Sequence, residues 1–287
     1  MDFTTKERSE VLIQALPYIQ KYNNKIVVVK YGGNAMLNSE LKHNVMSDLV
    51  LLSLVGIKVV LIHGGGPEIT EMLERVGKKS EFVDGLRVTD EESAQIVTMV
   101  LAGKINKELV GLVQNIGGRA VGLSGMDGHL IMAEKKDDRL GFVGSITQIN
   151  PQIIFDAISM GYIPIISTVG YDLEGNNYNI NADTAASEIA ASLKAESLIC
   201  MTDAPGIMYD QDDPESLIEK LTADEARALA AEGIISGGMI PKAECCIDAV
   251  EKGVKKVFII DGRVPHSILV EIFTDKGIGT MFSKQKG

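Results

Sequence analysis

The sequence predicts an α/β fold: a three-layer sandwich with a central, mainly parallel sheet, two lobes and an N-terminal helix. Three observations carry this reading. Short unbroken apolar runs (26–29, 59–62, 163–166, 198–201 and 257–260) have the composition of strands buried on both faces. Stretches with helical spacing alternate with them. Glycine-rich loops, Gly32-Gly33 and Gly64-Gly65-Gly66, follow the first two runs, as strand-to-helix turns of a parallel sheet do.

The elements follow in chain order. Residues 7–20 place Val11, Leu12, Ala15, Leu16 and Ile19 at helical spacing, and Pro17 falls where it kinks or ends that helix. Asn23-Asn24-Lys25 is a turn into the first strand. A helix over 37–54, the second strand and a helix over 67–76 come next, with Pro67 inside the last at its best-tolerated position. Residues 77–90 are polar and glycine-containing, and read as a hairpin or lid over a pocket. A helix over 91–115 precedes short strands near 119–123, 129–134 and 141–146. Further on come a helix over 151–160, the strand 163–166, a hairpin turn at 174–177 and an alanine-rich helix over 181–193. Beyond the strand 198–201 the spacing predicts helices over 222–232 and 241–252, the strand 257–260 and a helix over 266–273. No low-complexity linker divides the chain, so the lobes share one sheet and meet near residue 195. The resulting parts are an N-terminal extension (1–24), an N-lobe (25–195) and a C-lobe (196–287).

Composition narrows the function. The net charge is −11, from 28 basic and 39 acidic residues, which disfavours nucleic acid as a partner. An acidic chain that handles anions must place its cations locally, which singles out Lys30, Lys242 and Arg87. Cys200, Cys245 and Cys246 fit neither a disulfide framework nor a zinc spacing, so reduced thiols and a cytoplasmic location are expected. The start, Met1 to Glu7, lacks a signal-peptide pattern. The most apolar stretch, 49–62, is broken by Gly56 and Lys58 and falls short of the ~20 residues of a membrane span. No membrane partner is expected.

In open α/β sheets, ligands bind beyond the carboxyl ends of the strands, where Lys30, Gly64–Gly66 and Asp203 all fall. Glycines let backbone N–H groups approach an anion, although one glycine string alone is equally a tight turn. Lys242 follows Gly237-Gly238-Met239-Ile240-Pro241 into the first turn of a helix, where the dipole disfavours a cation by ~0.3–1 kcal/mol. An arriving anion gives that placement a purpose; a solvent-facing lysine is the alternative. Asp183 opens a helix, so it is either an N-cap or a carboxylate that holds lysine ammonium groups. Arg87 can grip a carboxylate through two N–H groups. There is no Walker A, protein-kinase or G-x-G-x-x-G signature, and His43, His63, His129 and His266 make no metal-ligand spacing. No general base stands out. That suits an acceptor carboxylate, with a pKa of ~4.3, which is already ionised at neutral pH.

Together, Lys30-Tyr31-Gly32-Gly33, His63-Gly64-Gly65-Gly66-Pro67, Gly85-Leu86-Arg87-Val88-Thr89, Asn179-Ile180-Asn181-Ala182-Asp183 and Gly237–Lys242 resemble the amino-acid kinase family over essentially the whole chain. The Gly85–Thr89 string is similar to the branch that phosphorylates N-acetyl-L-glutamate, a step toward arginine, rather than to branches acting on aspartate, carbamate, uridylate or free glutamate. The resemblance implies that Lys30 and Lys242 hold the phosphoryl group in flight and that Asp183 organises them. It implies that Gly65 and Gly66 offer N–H groups near the γ-carboxylate, and that Arg87 and Asn179 recognise the amino-acid end. Gly32, Gly33, Asp203, Ala204, Pro205, Gly206, Ile207, Met208, Ile234, Ile235 and Ser236 would face ATP. Magnesium would ride on the nucleotide phosphates, with no protein metal ligand.

The N-terminal helix resembles the extension through which arginine-inhibited members pair dimers into a hexamer, a trimer of dimers. Glu271, Gly277 and Gly279 resemble part of their arginine site, although Phe258 stands where histidine is common and Ser197 where lysine is. A nitrogen-signalling regulator is a further partner that such members allow. Two readings outside the kinases stay open. One is a nicotinamide-dependent oxidoreductase that uses Gly64–Gly66 as its phosphate loop and Asp84 on the ribose. The other is a non-catalytic arginine sensor.

Overall fold

A computed structural model describes residues 4–284. The first three residues of the N-terminal extension and the last three of the C-lobe lie outside the described residues.

Two short helices, α1 (Thr5–Gln14) and α2 (Leu16–Tyr22), replace the single helix expected over 7–20. The break at Ala15 has a simple cause. Pro17 lacks an N–H and its ring excludes the preceding carbonyl, so the proline ends one helix and sits in the first turn of the next. Leu12 and Ile13 on α1 remain exposed to solvent in the single chain.

The strands β1 (Ile26–Tyr31) and β2 (Lys58–His63) flank α3 (Ser39–Leu54), whose N-cap Asn38 accepts from the N–H of Glu40 and Leu41. After β2 comes α4 (Gly66–Arg75), and then a small hairpin of β3 (Phe82–Val83) and β4 (Leu86–Arg87). Its two-residue turn, Asp84-Gly85, has positive φ at both positions, the Asp-Gly geometry that matches hairpin twist.

The helix expected over 91–115 is present but not uniform. Between α5 (Glu91–Thr98) and α6 (Asn106–Asn115), residues Met99–Ile105 form a π-helix. There follow β5 (Ala120–Ser124), β6 (Ile131–Lys135), β7 (Gly144–Ile149), α7 (Gln152–Ser159) and β8 (Ile163–Ser167). The hairpin β9 (Val169–Tyr171) and β10 (Asn177–Asn179) turns through Asp172, whose carboxylate accepts from the N–H of Glu174 and Asn176. Next come α8 (Ala182–Ser192), β11 (Ser197–Thr202) and β12 (Lys220–Thr222). Last are α9 (Ala223–Ala231), α10 (Ile240–Glu251), β13 (Lys256–Asp261), α11 (Ser267–Phe273) and β14 (Thr280–Ser283).

The main sheet has the order β12-β14-β13-β11-β1-β2-β8-β5. Every pairing is parallel except β13 with β14. Residues before 195 supply the four strands on one side, and those after 195 supply the four on the other. The seam is β1 beside β11, where Lys30 lies opposite Cys200. Buried apolar clusters cover both faces of this sheet, which explains strands with no polar alternation. A second, four-stranded sheet, β10-β9-β6-β7, stands over one end of the N-terminal half. The sequence reading missed β9, β10, β12 and β14. Each has three or four residues, too few to display a period.

Candidate active site

Lys30 sits one residue from the carboxyl end of β1, in register with Ile62 of β2. β-Strand alternation turns it away from the sheet edge into a nearly closed position, 6% exposed. Its Nζ lies 2.7 Å from Oδ1 of Asp183. The other oxygen of the same carboxylate, Oδ2, lies 3.1 Å from Nζ of Lys242. One carboxylate, on α8, therefore bridges two ammonium groups brought in on β1 and α10.

The local reasons are visible. Asn181, not Asp183, is the N-cap of α8, and its side-chain oxygen accepts from the N–H of Asp183 and Thr184 at 2.9 and 3.0 Å. With the capping role filled, the Asp183 side chain is free to face the lysines. The alternative that Asp183 merely caps the helix is thus excluded. Lys242 falls in the first turn of α10 behind Pro241, as expected, and is partly exposed. Burial pushes the Asp183 carboxyl up, but the two ammonium groups overcome it and hold it at about 2. Burial likewise pulls Lys30 down, and Asp183 more than restores it. Two lysines therefore face one carboxylate. The net positive charge suits an incoming anion.

Lys30 and Asp183 line one cavity, and a second opens in the C-terminal half. The first, about 300 Å³, is lined by Lys30, Asp183, Gly32, Gly33, Gly64–Gly66, Arg87, Asn179 and the hairpin residues Phe82, Gly85 and Leu86. The segment 77–90 is therefore a hairpin bordering a pocket. Arg87 is not the surface arginine that composition alone would favour: it is 6% exposed. Its Nη2 donates to the Gly66 carbonyl at 2.9 Å and to Thr70 Oγ1 at 2.8 Å, while Nη1 donates to Ser80 Oγ. The Phe82 ring stacks on the guanidinium, 4.7 Å from centroid to Cζ. Gly65 is glycine for a packing reason, because an added Cβ would meet Leu101 at 2.8 Å and Ile105 closer still.

The second cavity, about 240 Å³, is lined by Asp203–Met208 and Ile234–Ser236, with Gln211 and Met239. Nine of the residues expected at a nucleotide site thus share one cavity. Gly32 and Gly33, expected with them, line the first cavity instead. Gly33 lies at its border with the second: a Cβ on this residue, which has φ of 75°, would stand 3.1 Å from Asp203 Oδ2. The two cavities therefore approach each other where Gly33 meets Asp203.

Thr168, Leu101, Val143, Gln211 and Met239 were not anticipated from sequence. Thr168 was findable, since it directly follows a strand, β8, on the edge that carries the site. Leu101 was not, because the π-helix that aims it leaves no pattern in the chain. Cys245 lies near the triad, but burial pushes its thiol up to about 12, so it is a poor nucleophile.

Away from both cavities, Glu271 accepts from the N–H of Ile278 and Gly279 at 2.9 and 3.1 Å, and Gly277 packs against the same carboxylate. Burial pushes this carboxyl up and the two N–H groups oppose it. The three residues grouped by resemblance thus come together where the end of α11 meets the loop that follows it. Tyr18 of α2 donates to Asp275 in that loop. Ser197 and Phe258 are buried in β11 and β13.

Comparison with known proteins agrees with this geometry. The pattern of the Amino acid kinase family matches residues 25–261. The acetylglutamate kinase of Brachyspira hyodysenteriae is 55% identical over 285 residues, covering 99% of both chains. Among solved structures, N-acetylglutamate synthase from Neisseria gonorrhoeae complexed with coenzyme A and N-acetyl-glutamate superposes with a TM-score of 0.84 at 27% identity. That match covers 97% of this chain but 64% of the synthase. The same synthase complexed with coenzyme A and L-arginine gives 0.81 at 25% identity, covering 96% and 65%. With its lysine pair, its glycine loop and a full-length likeness of this kind, the chain belongs to the amino acid kinase family.

Proposed function

We propose that the chain transfers the γ-phosphoryl group of ATP to the γ-carboxylate of N-acetyl-L-glutamate, giving N-acetyl-L-glutamyl 5-phosphate on the route to arginine. The observation that carries this is the Asp183 carboxylate bridging Lys30 and Lys242 beside the first cavity. The high identity to acetylglutamate kinases selects the acceptor.

The acetylated amino acid occupies the first cavity and the nucleotide the second. A γ-carboxylate oxygen attacks the γ-phosphorus in line, and the bond to the β–γ bridging oxygen breaks, releasing ADP. The nucleophile is already ionised, so no base is required. Lys30 and Lys242 offset charge on the equatorial oxygens, and the α4 N-terminus adds the N–H groups of Gly65 and Gly66. Arg87 and Asn179 orient the amino-acid end. Gly32 and Gly33 let the phosphates pass the seam. Both Asp183 oxygens are engaged by lysines, so the donor set fits a magnesium ion carried in on the phosphate oxygens it prefers. That ion, when bound, neutralises phosphate charge. The β3–β4 hairpin is placed to keep water from the acyl phosphate.

Hydroxylamine trapping of the product tests this. With Mg-ATP, hydroxamate is expected from N-acetyl-L-glutamate and not from glutamate, aspartate or carbamate. Product from another acceptor would keep the family and discard the substrate. The oxidoreductase reading has no support: Asp84 is an exposed hairpin-turn residue, not the end of a strand beside a phosphate loop. The non-catalytic reading has none either, since the lysines and the aspartate are all in place.

Regulation follows the same reading. Glu271 with the 277–279 loop forms an arginine site, and the Tyr18–Asp275 bond ties the N-terminal helices to it. Exposed Leu12, Ile13 and Leu16 suit pairing between dimers into a hexamer. Leu12→Glu with Leu16→Glu is expected to reduce the mass seen by light scattering and to weaken arginine inhibition. An unchanged mass would discard this interface.

A further inference from the structure

His63 ends β2 and is fully buried, yet nothing in the reaction above uses it. Its Nδ1 lies 2.9 Å from the carbonyl oxygen of Gly64. A carbonyl only accepts, so Nδ1 carries the hydrogen. Its Nε2 lies 3.2 Å from the amide nitrogen of Asn106, also fully buried. The two hydrogens of that nitrogen are shared among Nε2 and the carbonyls of Ile165 at 2.8 Å and Leu123 at 3.2 Å, one of them bifurcated, while Lys107 Nζ donates to Asn106 Oδ1 at 3.0 Å. These partners fix the amide's orientation, so Nε2 must be the acceptor. Burial supports the neutral ring by lowering its pKa to about 4. Asn106 is the first residue after the π-helix, whose Leu101 and Ile105 also press on Gly65. Single π turns recur at functional sites for this kind of re-aiming.

A trans peptide is planar, with its C=O and N–H pointing opposite ways. Holding the Gly64 carbonyl toward His63 therefore aims the Gly65 N–H away from the core, toward the first cavity. Glycine on both sides of this peptide leaves no Cβ to fix it otherwise. We propose that His63, locked as its Nδ1–H tautomer by Asn106, is a positioning residue that orients the Gly64–Gly65 peptide so that the Gly65 N–H meets the transferring phosphoryl group. This rests on the reading of the first cavity as the acceptor site.

The test compares two substitutions with opposite geometry. In His63→Asn the amide nitrogen stands near the place of Nδ1 and keeps the bond to Gly64. In His63→Gln the amide reaches the place of Nε2, keeps Asn106 and releases Gly64. His63→Gln is expected to lower kcat by ~10–100-fold with both KM values within ~3-fold, whereas His63→Asn holds kcat within ~5-fold. If kcat follows melting temperature instead of the Gly64 donor, the role is structural and the proposal is wrong. Should His63→Gln not fold, Asn106→Leu unlocks the ring and is expected to lower kcat ~3–10-fold at constant KM; an unchanged kcat overturns the proposal. Arg87→Ala is run alongside. A raised KM for N-acetyl-L-glutamate upholds the cavity assignment independently of His63, and an unchanged one removes it together with this proposal.

Discussion

Replacing Lys242 by alanine is expected to lower kcat by ~10²-fold or more while leaving the KM for N-acetyl-L-glutamate within a few-fold. The reason is where its charge acts. Its ammonium group comes in from the C-terminal half on α10 to meet Asp183 Oδ2, and in the proposed reaction it faces phosphate oxygens rather than the amino-acid end. Charge that grows on those oxygens in the transition state is stabilised more than the ground state, so the loss falls on kcat. Lys242 is partly exposed, and its removal leaves Asp183 paired with Lys30, so the variant should fold with a near-normal melting temperature. Lys30→Ala should lose at least as much activity and also stability, because Lys30 is nearly closed off from solvent. Arginine restores neither: its broad planar fork does not occupy the place of a compact ammonium. Steady-state kinetics with both substrates varied is the measurement. Turnover within a few-fold of the parent would take these lysines out of the reaction.

Asp183→Asn should damage both stability and activity. The change preserves shape but leaves Lys30 buried without an anion, and breaking one side of a buried pair costs about 3–5 kcal/mol. For a chain of this size that corresponds to a fall in melting temperature on the order of 10 °C. The expected loss in kcat is ~10²-fold, since the lysines are no longer held in place. The pH dependence has a definite sign. The folded carboxyl is held at about 2, below its unfolded value of ~3.9, so its contribution is fully present above pH ~4 and is lost as pH falls toward 2. The stability gap between parent and variant, followed by denaturant unfolding, should be constant from pH 5 to 7 and shrink below ~4. A gap that widens in acid would mean that the carboxylate is not the stabilised form.

Much of the fold was legible in the chain. The buried strands were unbroken apolar runs, and every one of the five was found. The helices read over 37–54 and 222–232 begin within two residues of where α3 and α9 do, behind the caps Asn38 and Thr222. The polar, glycine-containing segment 77–90 was legible as a hairpin or lid, and it holds the β3–β4 hairpin. Elements without a local signal were missed: the three-residue strands β9, β10 and β12, edge strand β14, and the π-helix at 99–105. A π-helix differs from an α-helix by a shift in hydrogen-bond partner, which residue spacing does not encode.

The candidate site divides in the same way. The residue types were readable: lysines near glycine loops at strand ends, an aspartate opening a helix, and an arginine in a hairpin. By itself the sequence determined the layered α/β fold, the edge of the sheet that carries chemistry and the side chains able to handle an anion, because each depends on composition within a few residues. Only the tertiary structure decided that Asn181 rather than Asp183 caps α8, that one carboxylate serves both lysines, that Gly32 and Gly33 border the first cavity, and that His63 grips Gly64 through Asn106. Those outcomes join residues far apart in the chain, and they are set by how eight strands order themselves and how the helices pack across them.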